Sequence, residues 1–131
     1  MKSGGGAPRL AAMITQVKFV SITVADQDRA LEFYTKKLGF KVATDQPMGE
    51  GMRWLELKIG GAETKVVLFR TPGKEPGGFS NVIWQSSDVQ KTCEELKARG
   101  VEFTQEPKSE SWGTSASFTD SEGNVFLLSS K

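Results

Sequence analysis

The sequence predicts an α+β fold made of two successive βαβββ modules, a curved mixed sheet enclosing a cleft. Two observations carry this. Segments of alternating apolar residues are interrupted twice by a short helical stripe that starts at an aspartate and stops at a glycine. The order of elements also repeats. Phe19, Val24, Asp26, Leu31 and Tyr34 match Asn81, Ser86, Asp88, Cys93 and Leu96 at a constant offset, and Gly39 matches Gly100 one deletion later.

Residues Val17 to Val24 alternate as a strand does, and Asp26 is placed to cap a helix. Ala30, Leu31, Tyr34 and Leu38 recur at helical spacing, and Gly39 suits the left-handed residue that ends one. A short strand is expected near Phe40 to Ala43. Thr44 to Gly51 holds Pro47 and Gly49 and reads as a loop. Met52 to Ile59 and Thr64 to Arg70 read as strands joined by a Gly60-Gly61 turn. After the loop Thr71 to Gly78, the second module begins with a strand over Asn81 to Ser86. Asp88 then caps a helix carrying Val89, Cys93 and Leu96, which Gly100 ends. A short strand starts at Val101 to Phe103. Strands Ala116 to Thr119 and Val125 to Leu128 flank the turn at residues 120–124. The modules are placed at residues 14–72 and 79–131 of one domain, 14–131. Residues 1–13, with Gly4, Gly5, Gly6 and Pro8 and no apolar signal-peptide core, read as a disordered tail, with Met13 a candidate natural start.

Composition excludes several functions. The 131 residues carry a net charge of +1, which gives no electrostatic footprint for nucleic acid or an anionic membrane. No apolar stretch is long enough to span a bilayer. The single cysteine, Cys93, forbids an intrachain disulfide and fits the reducing cytoplasm. There is no histidine. The commonest neutral metal ligand and the usual base of a Ser-His or Cys-His pair are therefore missing.

The stretch Phe19 to Asp26, the run Arg29 to Tyr34 and Leu38-Gly39-Phe40 resemble the opening of vicinal-oxygen-chelate proteins, the glyoxalase, bleomycin-resistance and dioxygenase group. Ser87-Asp88-Val89, Arg99-Gly100-Val101 and Asp120 to Asn124 resemble the marks of that group's second module. The resemblance covers residues 14–131 and implies the glyoxalase/bleomycin-resistance-like fold. It leaves the activity open, since that fold hosts lyases, dioxygenases, isomerases, epimerases and drug-binding proteins. Its metal-ligand positions fall on Phe19, Leu68, Asn81 and Leu127. One neutral asparagine oxygen among apolar groups is no metal site, so neither metal nor cofactor is expected. The resemblance also implies a homodimer that shares its cleft between subunits.

Strand alternation then sets the expected lining. With Phe19 facing the cleft, Ser21 joins it, and Asn81, Ile83, Gln85 and Leu127 follow in the second module. Counting across the Gly60-Gly61 turn adds Leu68, Arg53 and Leu55. Trp112 is placed at the mouth, and the Met48–Met52 loop is a candidate lid. The ligand-binding set is thus Phe19, Ser21, Arg53, Leu55, Leu68, Asn81, Ile83, Gln85, Trp112 and Leu127. The same count turns Trp54, Glu56 and Trp84 toward the helices. Duller roles stand beside these: Phe19, Leu68 and Leu127 filling the space of a lost metal, Arg53 in a surface ion pair, Trp112 as an ordinary half-buried tryptophan. A mostly apolar hollow with a few polar groups suits a metal-independent protein that sequesters or senses an apolar or aromatic molecule. The alternatives are a lyase- or dioxygenase-like enzyme with non-standard catalytic residues, and an interaction module whose cleft is filled.

Overall fold

The computed structural model describes residues 13–131. The expected tail thus lies outside the described residues, except for Met13. The first module runs β1 (Phe19–Thr23), α1 (Gln27–Glu32), β2 (Lys41–Gly49), β3 (Met52–Lys58) and β4 (Lys65–Phe69). The second runs β5 (Gly78–Gln85), α2 (Val89–Ala98), β6 (Phe103–Glu110), β7 (Gly113–Thr119) and β8 (Asn124–Ser129). The sheets have equivalent orders, β1-β4-β3-β2 and β5-β8-β7-β6. In each, the first strand lies parallel to the last and the other pairs are antiparallel.

Both helices start as their sequences demand. The Asp26 carboxylate accepts from the backbone N–H of Arg29, and that of Asp88 from Lys91, each at 3.0 Å. Val89, Cys93 and Leu96 form the buried stripe of α2. Gly100, at φ +90°, ends it, with the Val101 N–H returning to the Leu96 carbonyl. The end of α1 differs: Phe33–Lys37 form a wider π-helical turn, closed by Leu38 N–H on the Phe33 carbonyl. Phe33 and Tyr34 are both buried there.

Part of the expected loop Thr44–Gly51 is strand, because β2 continues to Gly49. Pro47 is tolerated since β2 is the sheet's edge, and the register shifts between Pro47 and Gly49.

One core serves both modules, drawing on Ile22, Tyr34, Leu55, Leu57, Val66 and Leu68 from the first and Leu96, Phe118, Phe126 and Leu128 from the second. Aromatic edges join the halves: Phe40 meets Trp84 at 5.6 Å between centroids, and Trp84 meets Phe126 at 5.3 Å. A polar knot locks one end of the junction. The buried Asp120 carboxylate accepts from the Tyr34 hydroxyl at 2.6 Å, from the backbone N–H groups of Glu122 and Asn124, and from the Asn124 amide. That amide also donates to the Thr23 carbonyl at 3.1 Å. Burial foremost, then the Asp120 charge and its hydrogen bond, push the Tyr34 phenol well above its ordinary range, so it serves as a neutral donor.

Candidate functional site

Each sheet turns one face to the common core and leaves the other open. The open face of the first sheet carries an aromatic row. Phe19 meets Trp54 edge-on at 5.3 Å, and Trp54 meets Phe69 at 6.0 Å. The Trp54 indole N–H donates to the Glu56 carboxylate at 3.0 Å. Glu56 lies beside Val67, and Val67 beside Ser21. The second open face pairs Ile83 with Leu127, Gln85 with Ser129 and Leu127 with Ser117. Phe79 is 69% and Ile83 58% exposed, so the single chain leaves this face uncovered.

Six of the expected lining residues therefore sit on the open faces: Phe19 and Ser21 on one, Asn81, Ile83, Gln85 and Leu127 on the other. The parity expected for β3 and β4 is reversed. β4 takes its register from β1, with Ile22 beside Leu68 and Ser21 beside Val67. Ile22 faces the core, and Leu68 follows it. Leu55 and Leu68 belong to the shared core cluster, which Val67 does not join, and so do not line an open face. A one-residue slip along a strand exchanges its faces. The internal repeat now selects a different residue: Ser21 pairs with Val67 as Ile83 pairs with Leu127, so the position assigned to Leu68 belongs to Val67.

Arg53 lies on the same side as Leu55 and has structural partners. Its guanidinium pairs with Asp28 at 2.6 Å and Asp45 at 3.0 Å, and the Asp28 hydrogen bond is the chief cause of its raised pKa. The buried Gln27 side chain binds the Arg53 backbone N–H and C=O and donates to the Leu68 carbonyl. Trp112 is 59% exposed in the turn between β6 and β7. Trp84 faces the core as expected, whereas Trp54 and Glu56 face outward. The pattern Leu55-Glu56-Leu57 held that signal, since the parity that buries both leucines is the one that spares the carboxylate.

The residues at the metal positions, Phe19, Val67, Asn81 and Leu127, offer one neutral oxygen and do not fit a divalent ion. Among the described residues, no group of three or more Cys, Asp or Glu side chains is placed to hold one. Cys93 is buried, and burial raises its thiol pKa, which favours the unreactive form.

Residues 16–128 match the family described as the glyoxalase/bleomycin resistance protein/dioxygenase superfamily. The chain belongs to this superfamily. Among its relatives, the uncharacterized Bacillus subtilis protein YetH is 42% identical over 119 residues, 88% of this chain and 98% of that protein. A superfamily member from Sphaerobacter thermophilus superposes with a TM-score of 0.84 at 33% identity, covering 91% of this chain and 99% of the other. TnmS3, an antibiotic-binding protein from Streptomyces sp. CB03234, superposes with a TM-score of 0.82 at 36% identity, covering 92% and 98%. No helix of the described residues is long and apolar enough to cross a membrane.

Proposed function

We propose that this superfamily member binds a small aromatic molecule, without a metal or cofactor, between the open face of one module and the complementary face of a second copy. The observation that carries this reading is the Phe19–Trp54–Phe69 row with Glu56 held beside it. Such a row offers stacking and edge contacts to a planar ring, and Glu56 can accept a hydrogen bond from the ligand. The apolar exposure of Phe79 and Ile83 supports a homodimer that would cover them. The likeness to TnmS3, an antibiotic-binding protein, supports a small-molecule ligand. Phe19, Ser21, Asn81, Ile83, Gln85 and Leu127 are the proposed contacts, now joined by Trp54, Glu56 and Phe69. A cytoplasmic home agrees with the buried free thiol of Cys93.

The enzymatic alternative has one specific observation in its favour, the position of Glu56 on this face as an available base. Native mass spectrometry of protein purified gently from its own cells separates the readings. A dimer retaining a drug-sized adduct, lost in Trp54→Ala, is expected. A stoichiometric divalent metal would overturn the metal-free reading, and turnover of the released ligand that Glu56→Gln abolishes would establish the enzyme.

A further inference from the structure

The internal repeat pairs Tyr34 with Leu96, and the two positions are built differently. Tyr34 spans the junction to Asp120 on the β7–β8 turn. At the other end the equivalent position of α2 is Leu96, which has no polar group to reach across. If Val67 matches Leu127, Gly60 stands where Asp120 does. A glycine has no side chain with which to repeat the polar knot. The space is left as a half-open cavity of about 590 Å³, walled by Val20, Ile59, Val82, Trp84, Leu96 and Phe118. The volume falls within the roughly 300–1,000 Å³ typical of small-molecule pockets.

Trp84 supplies the polar cue. Its indole N–H is buried and has no hydrogen-bond partner among the described residues. Buried donors are nearly always paired. The hydroxyls of Ser86 and Thr92, also on the cavity wall, are bonded to each other at 2.7 Å, and on this wall the indole is the buried donor without a partner among the described residues. We propose that this junction cavity is a second ligand site, away from the aromatic row of the first sheet and reaching Ile83 and Gln85 at the border of the second sheet's open face. It would take a compact apolar or aromatic molecule carrying one hydrogen-bond acceptor, such as an aryl ketone, with the acceptor on Trp84 Nε1.

The test uses two probes of similar shape, 4-fluoroacetophenone and 4-fluoroethylbenzene, followed by fluorine NMR on the purified full chain in its native assembly. The ketone should bind about tenfold more tightly than the hydrocarbon, as one neutral hydrogen bond allows. Trp84→Phe keeps a ring and removes the donor, and should erase that preference while hydrocarbon binding persists. Leu96→Tyr, which copies the filled end, should abolish binding of both probes. Val82→Phe plugs the cavity from another wall and should do the same, so that a folding defect in one variant does not decide the matter. Trp54→Ala, on the open face, should leave both probes bound. Binding that survives both plugs, binding lost in Trp54→Ala, a ketone preference unchanged in Trp84→Phe, or no binding to the wild type would each overturn the proposal.

Discussion

The two ends of the junction between the modules are built on the same repeat and solved in opposite ways. At one end a tyrosine, an aspartate and an asparagine knit the π-helical turn after α1, β1 and the β7–β8 turn into a buried hydrogen-bonded knot. At the other, Leu96 and a glycine-bearing turn stand at an apolar cavity, whereas the groove of similar volume beside Asp120 is lined by charged groups, Arg29, Glu32, Lys37 and Glu102. Duplicated elements thus give a repeated backbone without a repeated interior. One end is committed to holding the modules together, which frees the other from that task. The open faces show the same divergence: an aromatic row with a carboxylate on the first sheet, and Phe79, Ile83 and Leu127 with serines and amides on the second.

The knot is where the comparison breaks most readily. Asp120→Ala would leave the Tyr34 hydroxyl, the Asn124 amide and two backbone N–H groups without their acceptor. A loss on the order of 3 kcal/mol is expected in urea unfolding. A loss below about 1 kcal/mol would show that the knot does not bear the junction. Tyr34→Phe removes one hydrogen bond to a charged group and should cost about 2 kcal/mol. Its pH dependence has a defined sign. The folded phenol is raised, so its contribution is fully present below the unfolded value of about 10 and is lost as pH rises from there through the folded value. Tyr34 is the chain's single tyrosine. Absorbance of the phenolate therefore reports this group alone: native protein should resist ionisation above about pH 10, and denatured protein should not.

Adding atoms at each end sharpens the contrast. Ala30 is fully buried in α1 beside the locked end, and Ala30→Leu should cost about 1–3 kcal/mol by overpacking. Leu96→Phe adds volume toward the cavity and should stay within about 1 kcal/mol of the wild type. Equal penalties in thermal or denaturant unfolding would mean that the cavity wall does not accept a larger side chain.

Much of this architecture is readable in the sequence, because its signals are local. Asp26 and Asp88 mark helix starts, Gly100 marks a helix end, and the alternation in β1, β5 and β8 assigns each face correctly. Long-range information is where that reading stops. The faces of β3 and β4 depend on how β4 aligns with β1, a pairing between residues some forty-five positions apart (Phe19 with Lys65), and no local pattern sets it. For that reason local alternation puts Leu55, Leu68 and Arg53 on the wrong face, and Trp54 and Glu56 with them. The partnership of Tyr34 with Asp120 is longer still, and Tyr34 reads simply as one more residue on a helical stripe. The continuation of β2 past Pro47 depends on its being an edge strand, which is a property of the assembled sheet.

Arg53 gives the smallest and most diagnostic effect. As a ligand contact it would matter to binding and little to folding. In the structure its guanidinium meets Asp28 and Asp45 near solvent, while its backbone is held by the Gln27 side chain. Exposed ion pairs contribute little, and the backbone bonds do not depend on the side chain. Arg53→Gln should therefore cost less than about 1 kcal/mol and leave ligand retention in native mass spectra unchanged. Gln27→Ala should cost more, about 1–3 kcal/mol, because the Leu68 carbonyl and both Arg53 backbone groups lose a partner in a buried or half-buried setting. The order of these two losses decides the point: if Arg53→Gln were the more damaging, or released the ligand, the cation would belong to the site after all and the binding face would extend around the edge of the first sheet.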